Sequence, residues 1–294
     1  MERFFYNLMK KHGRKLAVLE LVRPWNAIVP GLLGIFGYSL GGGKEPFEII
    51  LIFFLFILAY MAGTTINDLY DELIDRINMP YRPLQEGRIR KRMAFNLSII
   101  LHGITLFLGF LLGWKIFLMT IIVLIFSFAY SVPPIAFSRR GIISQIELSI
   151  TMIFIPLLSG VILSLDSFLI PVNILFLLIS LTSVFIFVFL TKDFKDIAGD
   201  STYRKKTTVS QLGKKNTKIV ALTGSFISFA LVLYFFYEIF TFNLIQIIFL
   251  ILVLAGILYQ EFNVERDPEK TFGLARLFSL IMLLILMVTS MGFF

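Results

Sequence analysis

Long apolar runs, separated by short polar segments, set the pattern of this chain. Each run is long enough to cross the ~30 Å hydrocarbon core of a bilayer as an α-helix. Nine runs predict transmembrane helices at residues 22–40, 47–66, 94–113, 116–132, 146–165, 171–191, 219–237, 244–262 and 272–293. We therefore predict an all-α integral membrane protein with a single transmembrane domain over residues 1–294. Residues 1–21, which are basic and amphipathic, are expected to form a lead-in on the cytoplasmic membrane surface.

The composition is that of a membrane protein. Hydrophobic residues make up 57% of the 294 positions, against about 45–50% in soluble domains, and the mean hydropathy is +0.87. The chain contains no cysteine, which excludes disulfides, thiolate nucleophiles and zinc–thiolate sites.

The distribution of basic residues predicts the orientation in the membrane. The formal net charge is +8, a value also typical of nucleic-acid binding, but here the charges fall in alternate polar segments. Of the 27 Lys and Arg residues, only Lys44 and Lys115 fall in the other set of segments. Because positive residues collect in cytoplasmic loops, we predict a cytoplasmic N-terminus, an active site toward the cytoplasm and no nucleic-acid partner.

A first acidic motif, NDLYDELIDRINMPYRP at residues 67–83, follows the second apolar run. If the helix continues past the membrane edge, Asn67, Asp71 and Asp75 share one face at positions i, i+4 and i+8. Asp68 projects to the side of that face. Carboxylate and amide oxygens are the ligands that Mg²⁺ prefers, so the first acidic motif predicts half of a magnesium site.

A second acidic motif, KDFKDIAGD at residues 192–200, follows the sixth apolar run. Lys192, Asp196 and Asp200 share its i, i+4, i+8 face, with Asp193 beside them. Magnesium usually takes one or two protein carboxylates and completes its shell with water and substrate phosphate. Two acidic helix ends that face each other predict a site where bridging metals hold a diphosphate. The alternative is that these carboxylates are solvated charges at the membrane edge.

The two acidic motifs lie four apolar runs apart, which suggests two four-helix units plus one further helix around a central cavity. Acidic and basic side chains at the mouth of an apolar cavity suit a diphosphate with a long hydrophobic tail. Metals and cations turn the diphosphate into a leaving group, and an allylic carbocation can then form away from water. This chemistry needs no nucleophilic side chain on the protein.

The two acidic motifs resemble the signatures of the UbiA superfamily of intramembrane prenyltransferases. The first acidic motif and the following QEGRI are similar to NDxxDxxxDxxNxPxRP with a later GR, and the second is similar to DxxxD with an additional acid. RPWN at residues 23–26 is similar to the opening of the family, and YSVPPIAF at residues 130–137 to its chlorophyll-synthase branch. The resemblance covers the whole chain and implies the nine-helix fold.

The resemblance also implies site residues and a cofactor, Mg²⁺, for which we expect two ions. The implied metal-binding positions are Asn67, Asp68, Asp71, Asp75, Asp193, Asp196 and Asp200. The implied catalytic positions are Asp71, Asp196 and Tyr130. The implied diphosphate-binding positions are Arg82, Arg88, Lys192 and Arg139. The family often carries a Lys four residues after the tyrosine, where this chain has Pro134, and spacing does not choose among Lys192, Arg139 and Arg140 as its replacement.

Several of these residues have a second interpretation. Arg88 could anchor the membrane topology, and Tyr130 could belong to the interfacial aromatic belt. Glu147 is a candidate site residue because it is an ionisable group inside a predicted span, but it could instead cap a helix start. Asn26 could face the cavity or begin a helix.

The implied activity is Mg²⁺-dependent transfer of a prenyl group from an isoprenyl diphosphate to a lipophilic acceptor, with release of diphosphate, in contact with membrane lipid. The acceptor could be an aromatic compound, a quinone precursor or a lipid, the last as in ether-lipid prenylation of the digeranylgeranylglyceryl phosphate synthase type. Two activities of other classes stay open at this point. A transporter of an anionic amphiphile would also have many helices and a polar site, and a lipid phosphotransferase would also use acidic residues at the membrane edge.

Overall fold

The computed structural model describes residues 16–240 and 244–290. In these residues the regular elements are helical, apart from one isolated bridge between Arg140 and Lys206. The α-helices are α1 (Ala17–Val22), α2 (Pro24–Leu40), α3 (Pro46–Tyr70), α4 (Glu72–Asn78), α5 (Lys91–Leu111), α6 (Trp114–Ser131), α7 (Ile142–Ser149), α8 (Ile155–Leu165), α9 (Val172–Leu190), α10 (Ile197–Thr202), α11 (Thr208–Tyr237), α12 (Leu244–Phe262) and α13 (Pro268–Ser290).

Three short turns continue or join these helices. A 3₁₀ turn at Phe137–Arg139 precedes α7, a π-helical turn at Ile150–Phe154 joins α7 to α8, and a 3₁₀ turn at Thr191–Lys195 extends α9. The joined helices α7 and α8 form one membrane-length rod, Ile142–Leu165, and α9 with its turn forms another, Val172–Lys195.

Eight helices in the described part of the chain are long and apolar enough to cross a membrane. They correspond to the second to ninth predicted spans, which confirms an all-α, multi-pass membrane protein. The first predicted span corresponds to α2, which has 17 residues and is at the short end of the length that crosses a bilayer. Its proline at the first helical position suits a helix start, because that residue's missing N–H would have no partner there.

The helices pack around a common centre. Helix α2 packs on α3 and α8, α3 packs on α5, α9 packs on α11, and α12 packs on α13, which returns to α2. The α2–α8 contact depends on small residues, because a Cβ on Gly37 would lie 2.0 Å from the carbonyl oxygen of Leu157. Such close backbone approach is the usual basis of helix association in lipid, where no hydrophobic force drives helices together.

The N-terminal end of the described chain folds onto the loop after the first acidic motif. Ala17 and Leu21 of α1 are buried against Leu84, Ile89 and Ala94. Residues 1–15 of the predicted surface lead-in, and residues 291–293 of the last predicted helix, lie outside the described residues. The buried face of α1 holds the loop after α4 in place beside the cavity.

Candidate active site

Both acidic motifs bend at their central aspartate. The sequence predicts helices that continue past the membrane edge, but α3 ends at Tyr70 and α4 begins at Glu72. Asp71 lies between them at φ −94° and ψ 10°, and Asp196 has nearly the same conformation, φ −103° and ψ 5°, before α10. Hydrogen bonds continue through the first bend, since the Asp71 N–H donates to Asn67 and the Asp75 N–H to Asp71. The predicted face is therefore kinked but not lost.

The two acidic motifs line one cavity from opposite elements. The oxygen-bearing side chains of the two motifs that line it include Asn67, Asp71, Asp75, Asp196 and Asp200. Asn78 at the end of α4 links the two motifs directly, because its side-chain oxygen accepts a hydrogen bond of 2.7 Å from the backbone N–H of Gly199 in the second motif. The structure thus brings together the residues on the predicted face of each motif.

Basic side chains line the same cavity in numbers that offset the carboxylates. They are Arg23, Arg82, Lys192, Lys195, Lys205 and Arg276. Lys205 was not among the site residues predicted from the sequence. Its Nζ lies 3.1 Å from Asp71 Oδ2 and 4.0 Å from Asp200 Oδ1, so it lies between the two acidic motifs.

The ionisation of the site follows from burial and charge. Burial opposes the charged form of Lys205, but the Asp71 and Asp200 carboxylates and Tyr130 outweigh it and raise the pKa of its ammonium group. Burial raises the pKa of Asp75 to about 6, although the Arg82 guanidinium opposes the shift. Burial likewise raises the pKa of Asp200 to about 7, against the charge of Lys205. Carboxylates held in this way favour cations that neutralise them.

Arg82 is the arginine of the first loop that reaches the cavity. Its Nη1 pairs with Asp75 and lies 3.3 Å from Asp68 Oδ1. A guanidinium presents its donors in a planar fork that matches phosphate oxygens. The position and chemistry of Arg82 therefore suit a diphosphate contact.

The remaining polar lining surrounds Tyr130 at the end of α6. Lys192 Nζ lies 3.4 Å from the Tyr130 hydroxyl oxygen, and both side chains line the cavity. Of the residues with two sequence interpretations, Tyr130, Glu147 and Asn26 all line this cavity.

The inner part of the cavity is apolar and aromatic. Phe56 lies 11 residues before Asn67 in α3, which places it roughly 16 Å further into the bundle at about 1.5 Å per residue. Other apolar residues of the cavity lining include Val123, Met152, Ile153, Phe185 and Phe189. This inner part offers an isoprenoid chain an apolar environment, and its aromatic faces can stabilise a cation.

Two of the predicted metal ligands lie outside the cavity lining because other groups hold them. Asp68 is 1% exposed and pairs with Arg23 and Arg82. Asp193 accepts hydrogen bonds of 3.0 Å from Gln145 Nε2 to each of its oxygens and one of 3.1 Å from the Thr208 N–H. Both carboxylates therefore hold neighbouring residues of the site in position and do not face the cavity.

Two of the predicted diphosphate ligands also lie outside the cavity lining. Arg88 forms a two-pronged ion pair with Glu20 of α1, at 2.9 and 2.5 Å, and contacts Glu86. Arg139 ends the 3₁₀ turn before α7 and is exposed. The local helical pattern carried no information on either position, since both depend on the path of a loop.

The donor set fits magnesium held jointly with a substrate. Among the described residues, no three His, Asp or Glu side chains form a group that could hold a metal ion without further ligands. Mg²⁺ commonly takes only one or two protein carboxylates, with phosphate and water completing its shell. Asp71 and Asp75 from one motif, and Asp196 and Asp200 from the other, line the cavity and match that number of carboxylates for each motif.

Comparison with known proteins identifies the family. Residues 27–289 match the UbiA prenyltransferase family. The chain belongs to this family. Digeranylgeranylglyceryl phosphate synthase of Pyrococcus horikoshii is 30% identical over 216 residues, which cover 72% of this chain and 74% of the relative. The corresponding synthase of Methanosphaera stadtmanae is 28% identical over 247 residues, which cover 81% and 83%.

Solved UbiA homologs share the fold. One from Archaeoglobus fulgidus, bound to GPP and Mg²⁺, has a TM-score of 0.69 at 19% identity and covers 94% of this chain and 99% of its own. Another, from Aeropyrum pernix K1, has a TM-score of 0.70 at 20% identity and covers 88% and 94%. The UbiA-family membership makes this protein a prenyltransferase and decides against the transporter and phosphotransferase alternatives.

Proposed function

We propose that this UbiA-family protein transfers a prenyl group from an isoprenyl diphosphate to the free hydroxyl of a glyceryl phosphate ether lipid. The observation that carries the proposal is the cavity itself, in which two acidic motifs and six basic side chains surround the mouth of an apolar pocket. The acceptor class is supported by the archaeal relatives, which are digeranylgeranylglyceryl phosphate synthases.

The roles of the side chains follow from their chemistry. Arg82, Lys192 and Lys205 bind the diphosphate oxygens and stabilise the negative charge that grows as the allylic bond breaks. The Tyr130 ring lies beside Lys192 at the boundary between the polar mouth and the apolar interior. There its face can stabilise positive charge on the allylic carbon. The apolar wall excludes water, so that the acceptor and not water captures the cation.

Magnesium would be held by Asn67, Asp71 and Asp75 on one side and by Asp196 and Asp200 on the other. When bound, Mg²⁺ supplies Lewis-acid neutralisation of the diphosphate leaving group. We propose two ions, one for each acidic motif. Lys205 pairs with Asp71 and Arg82 pairs with Asp75. When these carboxylates bind Mg²⁺ instead, the Lys205 and Arg82 side chains become available to the phosphate oxygens.

The decisive assay uses the purified protein with geranyl, farnesyl and geranylgeranyl diphosphates against a panel of acceptors. The panel contains a glyceryl phosphate monoether, a hydroxybenzoate and a quinone precursor, with products read by mass spectrometry and diphosphate release measured in parallel. We expect the diether product, its loss with chelator and its recovery with Mg²⁺. Prenylation of an aromatic acceptor alone would overturn the acceptor assignment, and activity in chelator would overturn the metal assignment.

The proposed orientation has the N-terminus and the active site on the cytoplasmic side, because Lys44 and Lys115 alone among the 27 basic residues fall on the other side of the predicted topology. Cysteine scanning can test it, since the natural chain has no cysteine. A cysteine at Lys44 should react with an impermeant maleimide added outside intact cells, and one at Ser210 should react only after permeabilisation. The reverse pattern would invert the topology.

A further inference from the structure

Glu147 is a buried carboxylate that lines the active-site cavity from an element outside both acidic motifs. It lies in α7, is 4% exposed and belongs to the cavity wall. Its Oε1 accepts a hydrogen bond of 2.7 Å from the Thr151 hydroxyl one turn later. Its Oε2 is buried and accepts no hydrogen bond from the described residues.

The backbone next to Glu147 departs from regular helix. The π-helical turn Ile150–Phe154 begins three residues after it, and three residues of this turn, Thr151, Met152 and Ile153, line the cavity. Such turns interrupt helices mostly at functional sites, where they redirect side chains. Here the turn places a hydroxyl that fixes one carboxylate oxygen, while the other oxygen stays available to a ligand.

A buried oxygen acceptor without a donor costs free energy, so a ligand whose O–H donates to Glu147 Oε2 would bind more tightly in this cavity. Glu147 also interacts electrostatically with Lys192, which lies at the start of the second acidic motif. Glu147 and Lys192 line the same cavity. An acceptor held by Glu147 would therefore share this cavity with a donor whose diphosphate is held by Lys192.

We propose that Glu147 binds the acceptor's hydroxyl group and receives its proton during prenyl transfer, with Thr151 as a positioning residue. The proposal rests on the proposed function. The hydroxyl oxygen forms a bond to the allylic carbon, and the bond from that carbon to diphosphate breaks with its electron pair leaving on diphosphate. The hydroxyl proton passes to the Glu147 carboxylate and then to water as products leave. The step needs no oxidant or reductant.

The test compares E147Q with E147D and T151V in the ether-lipid assay. Glutamine keeps the shape and the Thr151 contact but cannot take a proton, so we expect transfer to the hydroxyl to fall by about 100-fold or more, the usual size of a general-base contribution. Aspartate should recover part of the rate. T151V should show a smaller loss, expressed mainly in the KM for the acceptor. Binding of an unreactive thiolo analogue of the prenyl diphosphate, measured by calorimetry, should stay within about twofold in all three variants.

A matched control is E261Q. Glu261 is also a buried carboxylate in a membrane helix and accepts a hydrogen bond of 2.6 Å from a side chain, Ser225, but it is not part of the cavity wall. The E261Q variant should transfer the prenyl group at the wild-type rate. That result would show that the loss in E147Q comes from the missing proton acceptor and not from removal of a buried carboxylate as such.

The outcomes distinguish this inference from the proposed function. Wild-type rates in E147Q, or loss of donor-analogue binding in E147Q, would overturn the role of Glu147 while prenyl transfer to the lipid stood. A wild-type product prenylated on carbon, with no ether bond, would overturn the acceptor hydroxyl and leave a prenyltransferase. No prenylated product from the wild-type protein with any acceptor would overturn the proposed function itself, and this inference with it.

Discussion

The side-chain oxygen of Asn78 accepts a hydrogen bond of 2.7 Å from the backbone N–H of Gly199. This contact joins α4, which carries the end of the first acidic motif, to α10, which carries the end of the second. A substrate held by both motifs depends on their separation, so this contact sets the distance between the two halves of the site.

Gly199→Ala should therefore lower activity. A Cβ at this position would lie 2.6 Å from Asn78 Oδ1, so the Asn78 side chain must shift and its hydrogen bond with the Gly199 N–H is disturbed. A displacement of this kind can cost on the order of 100-fold when the reacting groups lose alignment. The measurement is kcat/KM for the prenyl diphosphate, with Gly103→Ala as control, because a Cβ there meets nothing within 4 Å. Equal activity in the two variants would show that the contact does not set the geometry.

Lys205→Gln should weaken donor binding and slow the chemical step. Lys205 lies between Asp71 and Asp200. From there its ammonium group can exchange a carboxylate partner for a phosphate oxygen of the bound donor. Loss of one such electrostatic group is expected to cost roughly 100-fold in kcat. The neighbouring Lys206→Gln is the matched control, because Lys206 is exposed and lies outside the cavity lining. Equal kinetics in both variants would show that Lys205 does not bind the donor and serves only as a basic residue of its loop.

Lys205 also illustrates which parts of the site the sequence could predict. Residues spaced four apart within one motif, such as Asn67 and Asp71, share a face because helical periodicity is local. Their shared place in the cavity was therefore accessible from the sequence, as were the membrane spans. The cavity position of Lys205 depends on how its loop brings it to Asp71, which no local period encodes. Helical spacing also placed Asp68 to the side of the face that carries Asp71, whereas the family resemblance grouped both aspartates among the metal-binding positions.

Asp68→Asn should behave differently from Asp71→Asn. Asp68 is buried with Arg23 and Arg82 as partners, and removing one member of a buried ion pair typically costs about 3–5 kcal/mol. We expect a lower melting temperature in detergent and a higher donor KM through displaced Arg82, with the Mg²⁺ concentration for half-maximal activity unchanged. Asp71→Asn should raise that Mg²⁺ concentration. A similar rise in Asp68→Asn would return Asp68 to the metal ligands.

The last prediction separates the two arginines of the first loop, Arg82 and Arg88. Arg82 lines the cavity, whereas Arg88 pairs with Glu20 of α1 through two hydrogen bonds. Lysine keeps the charge but loses the planar fork in both cases. Arg82→Lys should therefore raise the KM for the prenyl diphosphate, and Arg88→Lys should lower the melting temperature with little change in KM.

A double-mutant cycle with Glu20→Gln sharpens this contrast. Residues in direct contact show coupling of about 0.5–3 kcal/mol, whereas distant pairs are additive. The stability losses of Arg88→Lys and Glu20→Gln should be non-additive, because both substitutions weaken the same two-pronged contact. Those of Arg82→Lys and Glu20→Gln should add. If Arg88→Lys instead raised the donor KM and showed no coupling to Glu20, Arg88 would contact the diphosphate, and α1 would have to move away from the loop when substrate binds.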